Sequence, residues 1–494
     1  MAEKPSTEFF SSRFGLIVSV LGIAVGTGNI WRFPRIVAQN DGGTFLIPWV
    51  IFLLFWSVPL IIAEFAMGKH TRMGNVGAFA KLIGTKFGWM GAFVGFVATA
   101  IMFYYSVVCG WCIYYFGNVT FSSLPNNLET ANSIWSGFQG SYLPVVFHLI
   151  AMLLGGLIIY RGVTRGIERA SMILVPSLLV IVVIAGIRAV TLDGAFDGFR
   201  YFFTPNFENL ANVDIWLAAL TQNAWDTGAG WGLIMTYAIY MKKKEDVGIN
   251  AALIGFGNNS VSLLAGITIF CTVFALLGPA ANDVLKQSGP ASTGLTFIWM
   301  PQLFNRMPGG EILAPLFFLG LSFAAFTSLI SMIELAVRIF MDAGLTRKNS
   351  ILIVSSVGFF AGIPSAMNLG FLANQDWVWG VGLMISGGFI SFAILKFGVD
   401  KFRTELINGE GADVKIGKWW NFIIGWMVPI QVIVLMVWWL YNSTKWYPET
   451  WWQPFNLDTP ETLGTCIVQW AILIFSLLLI NKWLVKKTLS REEA

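Results

Sequence analysis

Apolar stretches recur along the chain near residues 14–38, 44–68, 88–117, 143–160, 170–192, 214–240, 249–278, 312–341, 349–365, 375–397, 418–441 and 463–485, with short polar segments between them. A helix needs about 20 apolar residues to cross a bilayer, and most of these runs approach that length. They predict an all-α polytopic membrane protein with twelve transmembrane helices. The first run contains Gly22-Ile23-Ala24-Val25-Gly26-Thr27-Gly28-Asn29-Ile30-Trp31-Arg32-Phe33-Pro34. Each of its three glycines weakens a helix by roughly 1 kcal/mol against alanine. Backbone groups freed in hydrocarbon are tolerated only where they face protein, water or a ligand. Residues 24–28 therefore read as an unwound hinge whose backbone binds something. Asn29 adds a side-chain oxygen beside it, and Arg32 a cation about one turn further on.

The sixth run repeats the irregularity. Gln222-Asn223-Ala224-Trp225-Asp226-Thr227-Gly228-Ala229-Gly230-Trp231-Gly232 sets a carboxylate and three glycines in the middle of an apolar segment. A charge there costs at least ~2.5 kcal/mol unless it is solvated or paired, so Asp226 is expected to face a polar site. The alternative is a buried aspartate that only bonds its own glycine-rich loop. Interruptions in spans one and six point to a transporter of two inverted five-helix halves, with its site where the breaks meet. Half-helix N-termini favour an anionic substrate group, and unwound carbonyls favour a small cation. The pairing suggests sodium together with a carboxylate-bearing solute.

Charge placement orients the spans. Lys69, His70, Arg72, Lys81 and Lys86 follow the second; Arg161, Arg165 and Arg169 the fourth; Lys242, Lys243 and Lys244 the sixth. Arg347 and Lys348, then Lys396, Lys401, Arg403, Lys415 and Lys418, then Lys486, Lys487 and Arg491 continue the series. Segments 118–142 and 366–374 hold no lysine or arginine, and 442–462 only Lys445. By the positive-inside rule the basic face is cytoplasmic, which puts both termini there in a cell-membrane protein. The organisation expected is a cytoplasmic segment 1–13, a transport core 14–397 with halves 14–192 and 214–397, two further helices within 398–485, and a tail 486–494. The polar N-terminus up to Ser12 lacks a signal-peptide pattern. Trp419, Trp420, Trp446, Trp451 and Trp452 stand near span ends as interfacial anchors do. Glycine- and proline-rich 278–310 suits either a helical lid over a pathway or a plain connector.

Composition agrees with this reading. The chain is 56% hydrophobic and 12% charged, and its mean hydropathy is +0.69. A net charge of +4 gives no reason to expect a nucleic-acid partner; the lipid bilayer and a small solute are the partners implied. Four cysteines scattered through apolar runs do not make a disulfide framework. Cys109-Gly110-Trp111-Cys112 has redox-dithiol spacing, but no strand or further cysteine pair supports that chemistry. Asn118-Val119-Thr120 fits a glycosylation acceptor in a eukaryotic source only. Other intramembrane polar groups await partners: Glu64 and Glu334; Tyr104 and Tyr105 in span three; Asn258, Asn259, Ser260 and Ser262 in span seven. Thr327 and Ser328 in Ala324-Ala325-Phe326-Thr327-Ser328 can act as hard oxygen ligands or back-bond to their own helix.

With these residues assembled, the chain resembles the neurotransmitter:sodium symporter family, and within it the prokaryotic amino-acid transporters of the leucine-transporter fold. Ala24-Val25-Gly26-Thr27-Gly28-Asn29 with Arg32-Phe33-Pro34 carries the likeness, as do Arg165-Gly166-Ile167-Glu168-Arg169 and Pro59 through Gly68. The resemblance implies sodium-coupled symport of a neutral amino acid by alternating access, and no enzyme activity. It implies a first sodium site at the Ala24 carbonyl, Asn29, Asp226 and Asn258. A second would use carbonyls of Gly22, Val25 and Ala324 with the hydroxyls of Thr327 and Ser328. Tyr105 and the amides around Thr27 and Gly28 would hold the substrate carboxylate. Ile101, Trp225, Gly228, Trp231, Ser328 and Met332 would line the side-chain pocket, while Arg32 and Asp376 would form the outer gate. Gly26 stands where monoamine carriers of the family have an amine-pairing aspartate, which favours an amino acid.

Departures from the family pattern are informative. Position 226 is usually a hydroxyl residue and here is an aspartate, and Trp49 replaces a tyrosine of the chloride-dependent members, although span seven keeps their serine as Ser262. Asp226 is expected both to ligate sodium and to supply the fixed negative charge, leaving chloride unnecessary. Asp342 matches the cytoplasmic gate carboxylate, but Thr7 stands at its arginine partner's position and Phe10 at that of a tryptophan. Lys4 or Arg13 is the substitute expected there.

Overall fold

The computed structural model describes residues 8–289 and 293–490; Thr7, Lys4 and Arg491 lie outside them. Among the described residues there is helix and no strand. The chain forms α1 (Arg13–Ala24), α2 (Gly28–Gln39), α3 (Gly43–Thr71), α4 (Thr85–Phe121), α5 (Leu143–Tyr160) and α6 (Val163–Val190). Then come α7 (Val213–Asp226), α8 (Leu233–Ala238) and α9 (Val247–Leu277). Last are α10 (Gly310–Asp342), α11 (Arg347–Met367), α12 (Leu369–Phe397), α13 (Trp419–Trp446) and α14 (Leu463–Leu489). Ten helices are long and apolar enough to cross a membrane, or eleven with α1 and α2 as one bent span. The expected count of twelve included the sixth run. Its two halves, α7 and α8, have 14 and 6 residues, and each is too short to cross alone.

Both expected interruptions are present. Ser12 caps α1 by accepting from the Gly15 amide at 2.9 Å, and Val25, in extended conformation, ends it. The axis then turns by 50° into α2. Pro34 sits in the next turn after the break, where the missing amide costs little. Asn29 Oδ1 accepts from the Gly26 amide at 2.8 Å, replacing a helical bond with a side-chain one. Between α7 and α8 the backbone takes φ of +67° at Gly228, +90° at Gly230 and +78° at Gly232, a region other residues rarely enter.

The helices sort into two packed groups. Helix α3 lies against α7, α8 and α9, with α1 joined to α9; α4 packs on α5, α10 and α11. A Cβ at Gly68 would meet the Met235 carbonyl oxygen at 2.1 Å, so α3 and α8 are in backbone contact. The segment 278–310 is helical in pieces, with Ala281–Lys286 and Met300–Arg306 among them. Gln39 donates to the Lys286 carbonyl at 2.8 Å, which ties this cover to α2.

Candidate functional site

Oxygen atoms converge where the two breaks meet. The Gly26 amide fixes which end of Asn29 is oxygen, so the other end is the amino group, and it donates to Asn258 Oδ1 at 2.8 Å and Ser262 Oγ at 2.7 Å. Asn258 Nδ2 in turn donates to Asn259 Oδ1 at 3.2 Å. The Asn258 atom facing the breaks is thereby an oxygen, and it lies 3.1 Å from the main-chain oxygens of both Ala24 and Asp226. Three acceptors thus meet, with the Asn29 amino group donating to the Asn258 oxygen and the Asn258 amide donating to neither main-chain oxygen. A small hard cation resolves that electrostatic conflict, and neutral and backbone oxygens suit sodium. The Asp226 carboxylate stands beside this cluster: Oδ1 accepts from Gln222 at 2.7 Å, and Oδ2 is buried without a partner. Oδ1 lies 3.1 Å from where a Cβ on Gly28 would stand, so the carboxylate abuts the first break.

The second expected ion site is more self-contained. Thr327 Oγ1 donates to the Ala324 carbonyl at 3.0 Å, and Ser328 Oγ reaches across to the Ile23 carbonyl at 3.3 Å. Gly22 faces the Thr327 side chain so closely that a Cβ there would come within 3.1 Å of it. Back-bonding is therefore present, yet each hydroxyl oxygen keeps its lone pairs. Gly22, Ala324, Thr327 and Ser328 come together between α1 and α10.

A cavity of about 380 Å³ extends from the breaks outward. Ala24, Gly26, Thr27, Gly28, Tyr105, Trp225, Asp226, Gly228, Trp231, Ser328 and Met332 all line it, with Arg32 and Asp376 above. Thr27 donates to the Tyr105 hydroxyl from its Oγ1 at 3.2 Å. A Cβ on Gly26 would meet Ser328 Oγ at 2.8 Å and Tyr105 Oη at 3.2 Å, so the site has no room for a side chain there. Ile101 is the exception among the expected lining residues. It is fully buried, and Tyr104, Tyr105 and Val108 form that wall instead. The apolar character of α4 extends around its circumference, so the face it turns to the cavity was not marked by periodicity.

The Arg32 guanidinium stacks over Trp225, 4.5 Å from the ring centroid. Trp225 is seated on Gly380, where a Cβ would come within 2.1 Å of its ring. Sequence reasoning missed the outer part of the cavity, where Arg35, Ser288, Trp377, Trp439, Trp446 and Glu461 also stand. Burial raises the Glu461 carboxyl above the ordinary carboxylate range; Asp376 acts in the same sense, and Arg35 opposes them.

Ion pairs gather at the other end. Arg347 pairs with Glu334 at 2.6 Å, and the Tyr240 hydroxyl donates to the same carboxylate at 2.5 Å. Asp342 pairs with Arg338 at 2.8 Å and accepts from the Gly74 amide at 2.6 Å. Arg13, a candidate partner for Asp342, stands 3.8 Å from Glu245 instead; the other candidate, Lys4, lies outside the described residues. Phe10 is buried against Tyr237 and Tyr240. Glu64 finds its partners in the sixth-run break, accepting from the Gly230 amide at 2.7 Å and the Met235 amide at 3.1 Å. Cys109 and Cys112 are free thiols buried in α4.

Comparison with known proteins identifies the assembly. A model of the sodium:neurotransmitter symporter family matches residues 7–139 and 142–491. The chain belongs to that family. It is 33% identical to a sodium-dependent transporter of Methanocaldococcus jannaschii over 86% of this chain and 88% of the relative. With the sodium-dependent transporter YhdH of Bacillus subtilis it shares 28% over 88% of this chain and 98% of the relative. The crystal structure of MhsT in complex with L-phenylalanine superposes with a TM-score of 0.77 at 28% identity, covering 87% of this chain and 99% of MhsT. The symporter thus has the leucine-transporter fold and is a sodium-dependent, multi-pass membrane transporter, not an enzyme.

Proposed function

We propose that the symporter couples sodium to the uptake of a neutral amino acid across the cell membrane by alternating access, with two sodium sites and no need for chloride. The observation that carries the reading is the meeting of the Ala24, Asp226 and Asn258 oxygens beside the cavity. Sodium there sits next to the N-terminus of α2, where a substrate carboxylate is favoured. Crowding at Gly26 excludes the side-chain carboxylate that would recognise an amine. The L-phenylalanine bound by MhsT, and the neutral amino acids in the name of the mouse relative B(0)AT2, 27% identical over 58% of this chain, support an amino acid. A sodium-dependent serotonin transporter of Drosophila melanogaster is also a relative, at 25% identity, but Gly26 argues against a monoamine here. The buried Asp226 carboxylate supplies the fixed charge that would make chloride dispensable.

In this reading residues 14–397 are the transport core, 398–485 add two helices, and the lysine- and arginine-rich loops face the cytoplasm with both termini. Arg32 and Asp376 close the outer side over Trp225, and Asp342 belongs to the cytoplasmic closure. The experiment is thermal stabilisation of the purified protein across the twenty amino acids in sodium and in potassium, followed by uptake into liposomes with chloride or gluconate. A neutral amino acid should stabilise only in sodium, and uptake should persist in gluconate. Stabilisation equal in both cations refutes sodium coupling at this site.

A further inference from the structure

Helix α2 presents two arginines three residues apart, so Arg32 and Arg35 share one face toward the cavity. Arg32 rests on Trp225. Arg35 is only 8% exposed, its Nη1 donates to Ser288 Oγ at 3.0 Å, and its Nε is buried with no partner. Two carboxylates line the same cavity from elsewhere in the fold: Asp376 on α12 and Glu461 just before α14. The Glu461 carboxylate accepts from the Tyr447 hydroxyl at 3.3 Å, and its carbonyl from Ser443 at 2.7 Å, which pins the segment in place. Among the described residues neither arginine makes an ion pair with either carboxylate. A half-used guanidinium and a desolvated carboxylate in one cavity are costly apart and favourable together.

We propose that Arg35 and Glu461 form a second ionic tier of the outer gate, lying outside the Arg32 and Asp376 tier. Ser288 holds Arg35 aside while the cavity is open. As α2 tilts inward, Arg35 leaves Ser288 and pairs with Glu461, sealing the cavity above the occupied site. The proposal rests on the alternating-access reading and adds two positioning residues to it.

The test reads closure without any substrate. The four native cysteines are buried, so a cysteine introduced at Val108, on the cavity wall, reports access through its rate of modification by a small methanethiosulfonate. In the full-length Val108→Cys protein, Arg35→Gln and Glu461→Gln should each raise that rate roughly two- to fivefold, the range for a partly hydrated ion pair. The double change should add nothing to either single change. The swap Arg35→Glu with Glu461→Arg should return the rate toward its starting value, as should Arg35→Lys alone. Additive single effects, or no effect of either, would overturn the pairing. The modification rate in the Val108→Cys background should change with sodium; a rate indifferent to sodium sinks the symport reading while leaving the pairing cycle interpretable.

Discussion

Replacing Asp226 by asparagine removes one charge and almost no volume, which isolates the electrostatic part of the site. The carboxylate is buried at 4% exposure, keeps one oxygen on Gln222 at 2.7 Å and has the other without a partner. Its own main-chain oxygen belongs to the oxygen cluster, so a cation there stands within a few ångströms of the negative charge. Opposite charges about 4–5 Å apart at an effective dielectric of ~20 attract by about 3–4 kcal/mol. Loss of that term should weaken sodium binding by roughly two to three orders of magnitude, since each 1.4 kcal/mol is a factor of ten. The assay is the sodium concentration that half-maximally stabilises the purified protein, titrated against potassium at constant ionic strength without chloride. Chloride added to Asp226→Asn should restore part of the lost affinity and should leave the unmodified protein unchanged. Wild-type uptake that depends strongly on chloride, with the same dependence retained in Asp226→Asn, would refute the assignment of fixed charge to this residue. An unchanged sodium midpoint in the chloride-free variant would refute its electrostatic role altogether.

Glu64→Gln sets an amide NH₂ against one of the two backbone amides that the carboxylate now accepts from, leaving a buried donor unpaired at a cost of about 1–3 kcal/mol. The unfolding midpoint in detergent should fall; an unchanged midpoint would mean that the break between α7 and α8 does not depend on this carboxylate. Gly26→Ala forces a methyl to 2.8 Å from Ser328 Oγ, and overpacking of this kind costs about 1–3 kcal/mol. Ligand-induced stabilisation should drop in the variant; an unchanged response would mean that the pocket has room for a methyl at this position. Replacing Cys109 and Cys112 together by alanine should leave sodium-driven uptake within about twofold of the original, because small buried hydrophobes are being exchanged; abolished uptake in a stably folded variant would revive the dithiol.

Much of this architecture was legible because the irregularities are local. Glycines in an apolar run weaken helix wherever they occur, and Gly228, Gly230 and Gly232 do adopt the left-handed backbone that their identity permits. Asp226 advertised a polar site for the same reason: an intramembrane charge must find a partner. What stayed hidden depends on rotation and long-range proximity. The face of α4 that meets the cavity could not be read from a helix apolar all round; Ile101 came from the family resemblance alone, and Val108 lines the cavity without having been marked. Arg35 and Glu461 are separated by most of the chain, and one of them lies in a loop with no periodicity to orient it. The resemblance implies an N-terminal partner for the cytoplasmic carboxylate Asp342 and gave no sign of Arg338, which pairs with it from one helical turn before.

The distribution of hydrogen bonds says where the molecule can shear. Contacts within the group of α1, α3, α7, α8 and α9 are numerous and short: Asn223 donates to the Trp49 carbonyl at 2.6 Å, Thr227 to Ser57 at 3.0 Å, and Glu64 accepts from two amides of the broken sixth run. Polar contacts from the broken first span to α4 and α10 at the site are fewer and longer, namely Thr27 to Tyr105 at 3.2 Å and Ser328 to the Ile23 carbonyl at 3.3 Å. The surface between the two groups therefore passes through the cavity, and whatever occupies the cavity becomes a bridge across it. An ion held by Ala24 and Asn258 touches one group only, but an ion between Val25 and Thr327, or a carboxylate reaching from Gly28 to Tyr105, touches both. In the proposed symport, ligands that touch both groups stabilise the closed arrangement, and a coupling of about 1–3 kcal/mol between sodium and solute is the magnitude expected when each improves the other's bridge.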